Sequence, residues 1–341
     1  MAEKYHDYDA LPNDAHAPSF RQELRVVAVI LGFIIVLEII ARIIAPTLDY
    51  DRVNIHAFPQ TIQNLEAHAE TSGNPRVVFF GNSLMLHGLN EDTVRDELKS
   101  IGGPEIESAK ITPVGTAMLD WVYLYRRYFE SEQSHPDILI VGFVAHHIHD
   151  QEPIKLRRLS RHFVTTQDLP NLWKHELQDF HRTTQSILCN LSALEGDQPE
   201  HQLGILYSVV PDYRAGLNRN NQLIASAAER RAANNTPNTT TEPEESYHRM
   251  DRFIKKCKQH GVDVWLVPMP QPDVWDYNPA ATHVAEKHGM QVIDARSIDG
   301  MTESDFSDGY HLGESGAEIF SRWMAQQISN HRPLDKGPRP E

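Results

Sequence analysis

The sequence has 341 residues, with 32 Lys or Arg against 47 Asp or Glu, which gives a formal net charge of −15. This length suits one large α/β domain with insertions or two small domains. The negative charge would repel a phosphate backbone and no basic stripe offsets it, so nucleic acid is excluded as a partner. Two cysteines, Cys189 and Cys257, are too few for a disulfide framework; they form either one disulfide or two buried thiols.

Residues 26–45 are apolar except for Glu38 and Arg42. Twenty residues are enough to cross roughly 30 Å of hydrocarbon as a helix, and two charges four positions apart can pair on one helical face. A buried core helix and a signal peptide are the alternatives. Ile-Ile-Ala followed by Pro46 is a poor site for signal cleavage, so the sequence predicts an uncleaved transmembrane anchor.

The charges that flank residues 26–45 predict the orientation of the anchor. Arg21 and Arg25 precede it, whereas Asp49 and Asp51 follow it. Cationic flanks stay in the cytoplasm. Residues 1–25 are therefore expected to be a cytoplasmic tail, and the rest of the chain is expected in the periplasm or at the cell surface.

Short apolar runs alternate with helical patterns between residues 76 and 329. The predicted strands are 76–80, 105–111, 137–144, 262–267 and 291–295. The predicted helices are 90–100, 117–129, 247–260 and 314–329. This alternation predicts an α/β fold, a flavodoxin-like three-layer sandwich with a parallel sheet, whose reactive groups collect beyond the carboxyl ends of the strands.

Residues 150–246 interrupt this alternation and are read as an insertion into the 76–329 domain. The part from 150 to 228 is expected to be mostly helical. The tract 229–246 is rich in Asn, Thr, Pro and Glu and is expected to be a mobile loop, because it cannot bury enough apolar area to offset its ordering entropy. Residues 46–75 are a connector and 330–341 a flexible tail.

Ser83 follows the first predicted strand and precedes a helical pattern. A serine at that position is exposed at the carboxyl edge of the sheet, and backbone N–H groups at the start of a helix can face a developing oxyanion. A tight turn that uses Gly81 and Ser83 only for their backbone preferences would give the same local pattern.

Asp308 and His311 lie after the last predicted strand and just before the final helix. A serine hydroxyl needs an imidazole to take its proton, and the imidazole needs an acceptor that fixes its tautomer. One turn of chain supplies both groups. Taken alone, an Asp and a His at this spacing are a weak signal.

Together, Gly81-Asn82-Ser83 and Asp308-x-x-His311-Leu312 resemble the first and last blocks of the SGNH (GDSL-like) hydrolase superfamily. The resemblance covers roughly residues 76–329 without the insertion. It implies Ser83 as nucleophile, His311 as base and Asp308 as its partner, with the Ser83 N–H in the oxyanion hole. Gly115 corresponds to the glycine of the second block, whose N–H is a further oxyanion donor.

The third block of that superfamily, G-x-N-D, is absent. Gly142 is followed by Phe-Val-Ala-His-His, so one oxyanion donor is missing, and His146 is the candidate that could replace it. The run from His146 to Asp150 also contains metal-ligand residue types, but adjacent side chains on an extended segment point apart. No metal site and no cofactor are predicted, and a structural role for these histidines remains open.

The resemblance implies an esterase or O-acyltransferase that passes an acyl group, expected to be acetyl, through Ser83. The expected substrate is an acylated extracytoplasmic glycan, another envelope ester or a small ester, and a transferase would take its acyl group from a membrane acyl-donor protein. The alternative is a catalytically weak SGNH-like module that binds glycan or scaffolds an envelope complex. The missing Asn favours this alternative.

Overall fold

The computed structural model describes residues 20–47, 50–130, 134–212, 216, 246–276 and 278–331. Several predicted regions lie partly outside these residues: 1–19 of the predicted cytoplasmic tail, 48–49 of the predicted connector, 213–215 and 217–228 of the predicted helical insertion, 229–245 of the predicted mobile loop, and 332–341 of the predicted C-terminal tail.

A five-stranded, fully parallel sheet lies at the centre of the fold. Its strands are β1 (Arg76–Phe80), β2 (Glu107–Ile111), β3 (Ile138–Phe143), β4 (Asp263–Pro268) and β5 (Gln291–Val292). The spatial order β2-β1-β3-β4-β5 is the flavodoxin-like order, in which ligands bind where the order reverses between β1 and β3. The predicted α/β class and its parallel sheet are confirmed. The fifth strand is shorter than predicted, because the chain leaves the ladder after Val292 and Ile293 already belongs to a loop.

Helices connect the strands and make up most of the rest of the chain. Those that belong to the sheet layers are α2 (Tyr50–Ser72), α3 (Ser83–Gly88), α4 (Glu91–Ser100), α5 (Met118–Tyr125), α11 (His248–Gln259), α12 (Pro279–Lys287) and α13 (Glu314–Asn330). The helices between β3 and α11 are α6 (Leu156–Arg158), α7 (Leu169–Leu172), α8 (Phe180–Leu191), α9 (Ala193–Gly196) and α10 (Gln198–Val209). The N-terminal helix is α1 (Phe20–Ile44). Shorter helical turns cover Ala45–Thr47, Arg126–Glu130, Ala145–His147, Leu159–Phe163, Trp173–Leu177 and Glu303–Asp305.

The sheet separates two hydrophobic cores. Side chains of a strand alternate between faces, and in β1 Phe79 lies in one core while Phe80 lies in the other. Helices α4 and α13 cover the Phe79 side, and α2, α5 and α11 cover the Phe80 side. Every residue of β3 is buried, as expected of a central strand covered on both faces.

The predicted connector, residues 46–75, contains the long helix α2. It buries Ile55, Phe58, Ile62 and Leu65 against the sheet, at helical spacing. Its first turns lie at the carboxyl edge of the sheet, where Asn54 Nδ2 donates a hydrogen bond to Thr112 O after β2 (3.2 Å). Its last turn leads into β1 at the opposite edge. The segment after the N-terminal helix therefore enters the fold at the carboxyl edge.

A buried ionic network joins α2 to the helices after β3. Arg52 Nε lies 2.9 Å from Asp197 Oδ1, and His162 Nε2 lies 2.7 Å from the same oxygen. Burial lowers the pKa of His162 to about 4, although Asp197 acts in the opposite direction. Burial would raise the pKa of Asp197, but hydrogen bonding to His162 and the charges around it lower that pKa to about 2. Above pH 4 the network therefore contains a neutral imidazole and a carboxylate.

We expect the free energy of unfolding to fall as the pH is lowered from about 6.5 to 4. The His162 pKa is depressed in the folded state, so in this window the unfolded chain binds more protons; the stabilisation is complete above pH 6.5 and decreases as pH falls towards 4. The loss from this group is on the order of 3 kcal/mol. Chemical denaturation in detergent at several pH values measures it. His162→Gln should flatten the dependence, whereas the exposed control His68→Gln should not; equal slopes would contradict the assignment.

Candidate active site

Ser83 is the first residue of α3, directly after the turn that ends β1. The turn passes very close to its neighbours: a Cβ on Gly81 would lie 2.9 Å from Met85 Cβ and 3.0 Å from Gly142 O. Glycine is therefore required for β1 and β3 to approach at this point. Asn82 caps the helix, since its Oδ1 accepts a hydrogen bond from the Leu84 N–H (3.0 Å). The close approach at Gly81 and the Asn82 cap together place Ser83 at the carboxyl edge of the sheet.

Asp308 and His311 lie in the turn before α13. Asp308 Oδ1 accepts hydrogen bonds from the backbone N–H groups of Tyr310 (3.0 Å) and His311 (2.7 Å). Its Oδ2 lies 2.8 Å from His311 Nδ1. Gly309, between them, has a φ of 77°, a conformation that favours glycine. The turn therefore fixes the carboxylate beside the imidazole.

The two segments meet across the sheet edge, where His311 Nε2 lies 2.9 Å from Ser83 Oγ. Partial burial opposes ionisation of Asp308, but hydrogen bonds from the His311 and Tyr310 N–H groups and the His311 ring outweigh it and lower the pKa of this carboxyl group. The carboxylate accepts the Nδ1 proton, which leaves Nε2 as the acceptor for the serine hydroxyl. This arrangement can remove the proton of Ser83.

The loop after β2 lies against the Ser83 turn. Asn82 Nδ2 donates to Thr116 O (3.2 Å), and Thr116 Oγ1 donates to Gly81 O (3.1 Å). Gly115, in the same loop, has a φ of 61°. Among the described residues, the backbone N–H groups of Ser83 and Gly115 have no hydrogen-bond acceptor. Both donors are available to a ligand at this edge.

Arg158 and Asp51 hold this loop from two other parts of the chain. The Arg158 side chain is buried and its guanidinium donates to Val114 O, to Gly115 O (2.8 Å) and to Asp51 Oδ2 (2.9 Å). Asp51 Oδ1 in turn accepts the Val114 N–H (2.8 Å). We call these two residues the loop clamp. The sequence pattern gives no signal for it, because its members lie in the predicted connector and insertion.

The segment after β3 brings His147, rather than His146, against the Ser83 turn. His147 is buried, its Nδ1 accepts the Val144 N–H (3.1 Å), and Asn82 Nδ2 lies 3.2 Å from both of its ring nitrogens. Burial lowers the pKa of His147 to about 3, so the ring is neutral at physiological pH. His146 is exposed, and its ring packs on that of His147 with centroids 4.0 Å apart.

Asp150, the last residue of that histidine-rich run, caps α11. It accepts hydrogen bonds from Ser246 Oγ (2.7 Å) and from the backbone N–H groups of His248 (2.9 Å) and Arg249 (3.0 Å). Within the part of the chain that the structure describes, no group of three or more His, Cys, Asp or Glu side chains could hold a metal ion. Cys189 and Cys257 are buried free thiols. Of the two predicted alternatives, one disulfide or two buried thiols, the structure shows the second.

A polar groove of about 730 Å³ lies between α2 and α4 along the β2 edge of the sheet; Ser83 and His311 do not line it, and His87 connects it to His311. The His87 ring forms one wall and packs edge-on against the His311 ring, with centroids 5.2 Å apart. Other lining residues are Asn64, His68, Asn90, Lys110 and Glu314. Amide, imidazole, ammonium and carboxylate groups offer both donors and acceptors, so the groove suits a polar ligand with many hydroxyl groups.

Comparison with known proteins gives matches among solved structures only. A scan against known protein families finds no match, and a search of curated proteins finds none. The chain is similar to a lipase/acylhydrolase from Enterococcus faecalis, with 13% identity over 75% of this chain and 96% of that one and a TM-score of 0.37. It is also similar to a catalytic mutant of Axe2, an acetylxylan esterase from Geobacillus stearothermophilus, with 10% identity over 74% and 94% and a TM-score of 0.36. Neither similarity carries an argument about function.

Proposed function

We propose that the chain is a serine esterase or O-acyltransferase of the SGNH type. The observation that carries this proposal is the hydrogen-bonded series Asp308–His311–Ser83, with 2.8 Å and 2.9 Å between successive partners. His311 Nε2 takes the proton of Ser83 as Oγ attacks the acyl carbonyl, and then gives it to the departing alcohol. Water, or a sugar hydroxyl in a transferase, then accepts the acyl group from Ser83. No cofactor takes part.

The backbone N–H groups of Ser83 and Gly115 are the proposed oxyanion donors. Preorganised N–H groups that face a developing negative charge are often the largest single contribution to acyl transfer. Both lack a protein acceptor among the described residues, which supports this role. His146 remains the candidate third donor from the segment after β3, and its ring makes no hydrogen bond to a described residue.

We propose an acyl ester of a glycan as the substrate, with acetyl as the acyl group. The polar groove that reaches His87, whose ring packs against His311, supports a polyhydroxylated ligand rather than a lipid chain. A transferase would need an acyl donor, for which a membrane protein is the proposed source. Release of acetate from an acetylated polysaccharide, measured with and without an added sugar acceptor, separates hydrolysis from transfer.

The second candidate is a glycan-binding or scaffold module. It is favoured by one observation: Val144 stands where the superfamily has its Asn, and a valine side chain cannot donate a hydrogen bond to an oxyanion. Labelling of the wild-type chain with a fluorophosphonate discriminates between the two, since it requires an activated serine but no known substrate. The absence of labelling across pH 6 to 9 would leave the binding module as the function.

We propose that α1 anchors the chain in a membrane with its N-terminus in the cytoplasm and the sheet domain outside. Among the described residues, Phe20–Thr47 is a helical stretch long and apolar enough to cross a bilayer, and only 6% of its most apolar window is buried in the fold. A buried core helix would be covered by the protein. The full chain should sediment with membranes and resist alkaline carbonate; release into the soluble fraction would refute the anchor.

Replacement of Arg158 by Lys should lower kcat about tenfold or more and change KM little. Lysine keeps the charge beside Asp51 but cannot donate to Val114 O and Gly115 O at once, so the Gly115 N–H loses its fixed position. Turnover of p-nitrophenyl acetate gives both constants. An oxyanion donor acts in the transition state, so the effect should fall on kcat.

Arg157→Lys is the matched control for Arg158→Lys. Arg157 is adjacent in sequence, but its guanidinium donates to Glu195 O (2.6 Å) instead of to the Gly115 loop. A melting temperature should accompany both assays, since a buried arginine that loses partners also destabilises the fold. Equal kcat values for the two variants would show that the loop clamp has no positioning role.

A further inference from the structure

The two charged residues of α1 are bound by the helical segment after β3. Glu38 and Arg42 pair with each other (2.8 Å), as their spacing predicts. The Glu38 carboxylate also accepts hydrogen bonds from Ser192 Oγ (2.8 Å) and from the N–H groups of Ala193 (2.8 Å) and Leu194 (3.3 Å). Arg42 donates to Leu191 O (2.6 Å). The anchor is therefore bonded to the junction of α8 and α9, in addition to its covalent link through α2.

These bonds fix the height of α8 and α9 relative to a bilayer. Glu38 lies seven residues before Ala45, which is about 10 Å along a helix. If residues 26–45 span the hydrocarbon, the junction sits below the outer boundary. The junction of α8 and α9 then lies within the outer leaflet, about 10 Å inside the hydrocarbon boundary.

The helices that flank α9 in the chain, α8 and α10, expose apolar side chains. Phe180, Leu188 and Leu191 share one face of α8, and Ile205 and Val209 lie four residues apart on α10; all five are between 51% and 86% exposed. The side of α8 that faces the protein buries Ser186 and Cys189. Its outer face carries these three apolar side chains together with His181 and Thr184. Several large apolar side chains on one exposed face are typical of a surface that binds a partner or a membrane.

We propose that these five residues, which we call the insertion apolar face, lie in the interfacial region of the outer leaflet. The proposal rests on the proposed membrane anchor. Lipid is the occupant because Leu191, at one end of this face, is bonded through its carbonyl to Arg42 of the anchor, and because interfacial helices bury their apolar side roughly 5–10 Å deep. The domain is then seated on the membrane through α1, α8 and α10 together.

Contact of α1, α8 and α10 with the membrane would bring the active-site edge of the sheet towards the bilayer. The start of α2 and the start of the helices after β3 both attach at the carboxyl edge of the sheet, where Asp51 and Arg158 hold the Gly115 loop. Both membrane contacts therefore join the fold at the edge that carries Ser83. The esterase would act on acyl groups close to the bilayer surface, and distant polymer would have to approach that surface.

Quenching by spin-labelled lipid tests the seating. Leu188→Cys and Ile205→Cys, each in the full chain, are labelled with the fluorophore NBD and placed in nanodiscs of phosphatidylcholine and phosphatidylglycerol. The control is Ile101→Cys, which is exposed (42%) and follows α4 at the opposite edge of the sheet. We expect blue-shifted emission and quenching by nitroxide lipids at 188 and 205 only. The unmutated chain controls for labelling of the buried native thiols.

Two failures can be told apart. If the chain incorporates into nanodiscs but NBD at 188 and 205 is no more quenched than NBD at 101, the seating is refuted and the anchor stands. A protein partner for the insertion apolar face is then the remaining occupant. If the chain is extracted by alkaline carbonate, the anchor itself is refuted, and the seating falls with it.

Discussion

Ser83→Ala is expected to abolish covalent labelling by a fluorophosphonate and to reduce ester turnover by up to about a millionfold, the loss seen when a serine protease loses its nucleophile. The reason is that Ser83 Oγ, 2.9 Å from His311 Nε2, is the one hydroxyl that this nitrogen contacts among the described residues. The fold should persist, because the backbone and the Asn82 cap of α3 do not use the serine side chain.

Ser307→Ala is the control serine for this experiment. Its hydroxyl lies in the same turn as His311, 3.4 Å from the His311 carbonyl, and does not contact the imidazole. It should label and turn over substrate like the wild type. If labelling persists in Ser83→Ala and disappears in another serine variant, that other serine is the nucleophile and Ser83 is not.

The strands and their order of appearance could be predicted from the sequence because each is a short apolar run between polar or glycine-containing segments. The central strand is the clearest example, since Ile138–Phe143 is buried on both faces and carries no alternation that could be confused with a surface strand. The end of β5 could not be predicted. Two of its last predicted residues, Ile293 and Ala295, are apolar and buried as in a strand, but they pack in the core from a loop.

The approach of His311 to Ser83 follows from strand order and not from any local preference. The two residues are 228 positions apart, and only the shared carboxyl edge of a parallel sheet brings them together. The Gly115 loop is predictable in the same way, since it follows β2 at that edge. Its clamp is not, because no local pattern indicates that an arginine beyond β3 and an aspartate before α2 bind one loop.

The sequence could not predict whether His146 or His147 is buried against the Ser83 turn. The two are adjacent and chemically identical, and the helical turn Ala145–His147 alone decides which ring is buried. The pairing of Glu38 with Arg42 was predictable from a four-residue spacing. Their bonds to Leu191 and Ala193 were not, because they depend on the tertiary position of α8 and α9.

Asp308→Asn is expected to lower kcat by roughly a hundredfold to ten thousandfold. Asparagine keeps an oxygen for the Tyr310 and His311 backbone N–H groups, so the turn should survive, but its amide donates towards His311 Nδ1. The imidazole is then driven to the tautomer with its proton on Nε2, which cannot accept the proton of Ser83. In a well-studied serine protease this tautomer change costs about four orders of magnitude.

The loss here should fall towards the lower end of that range, because the Asp308 side chain is 54% exposed and water can also satisfy Nδ1. Asp305→Asn is the matched control. Asp305 bonds Ser315 Oγ and the Thr302 N–H in the same segment without contacting His311, so kcat should stay near the wild-type value. Melting temperatures separate a folding defect from a catalytic one. If Asp308→Asn retains full kcat while Ser83→Ala is inactive, His311 must act without this carboxylate, and the proposed triad reduces to a Ser–His pair.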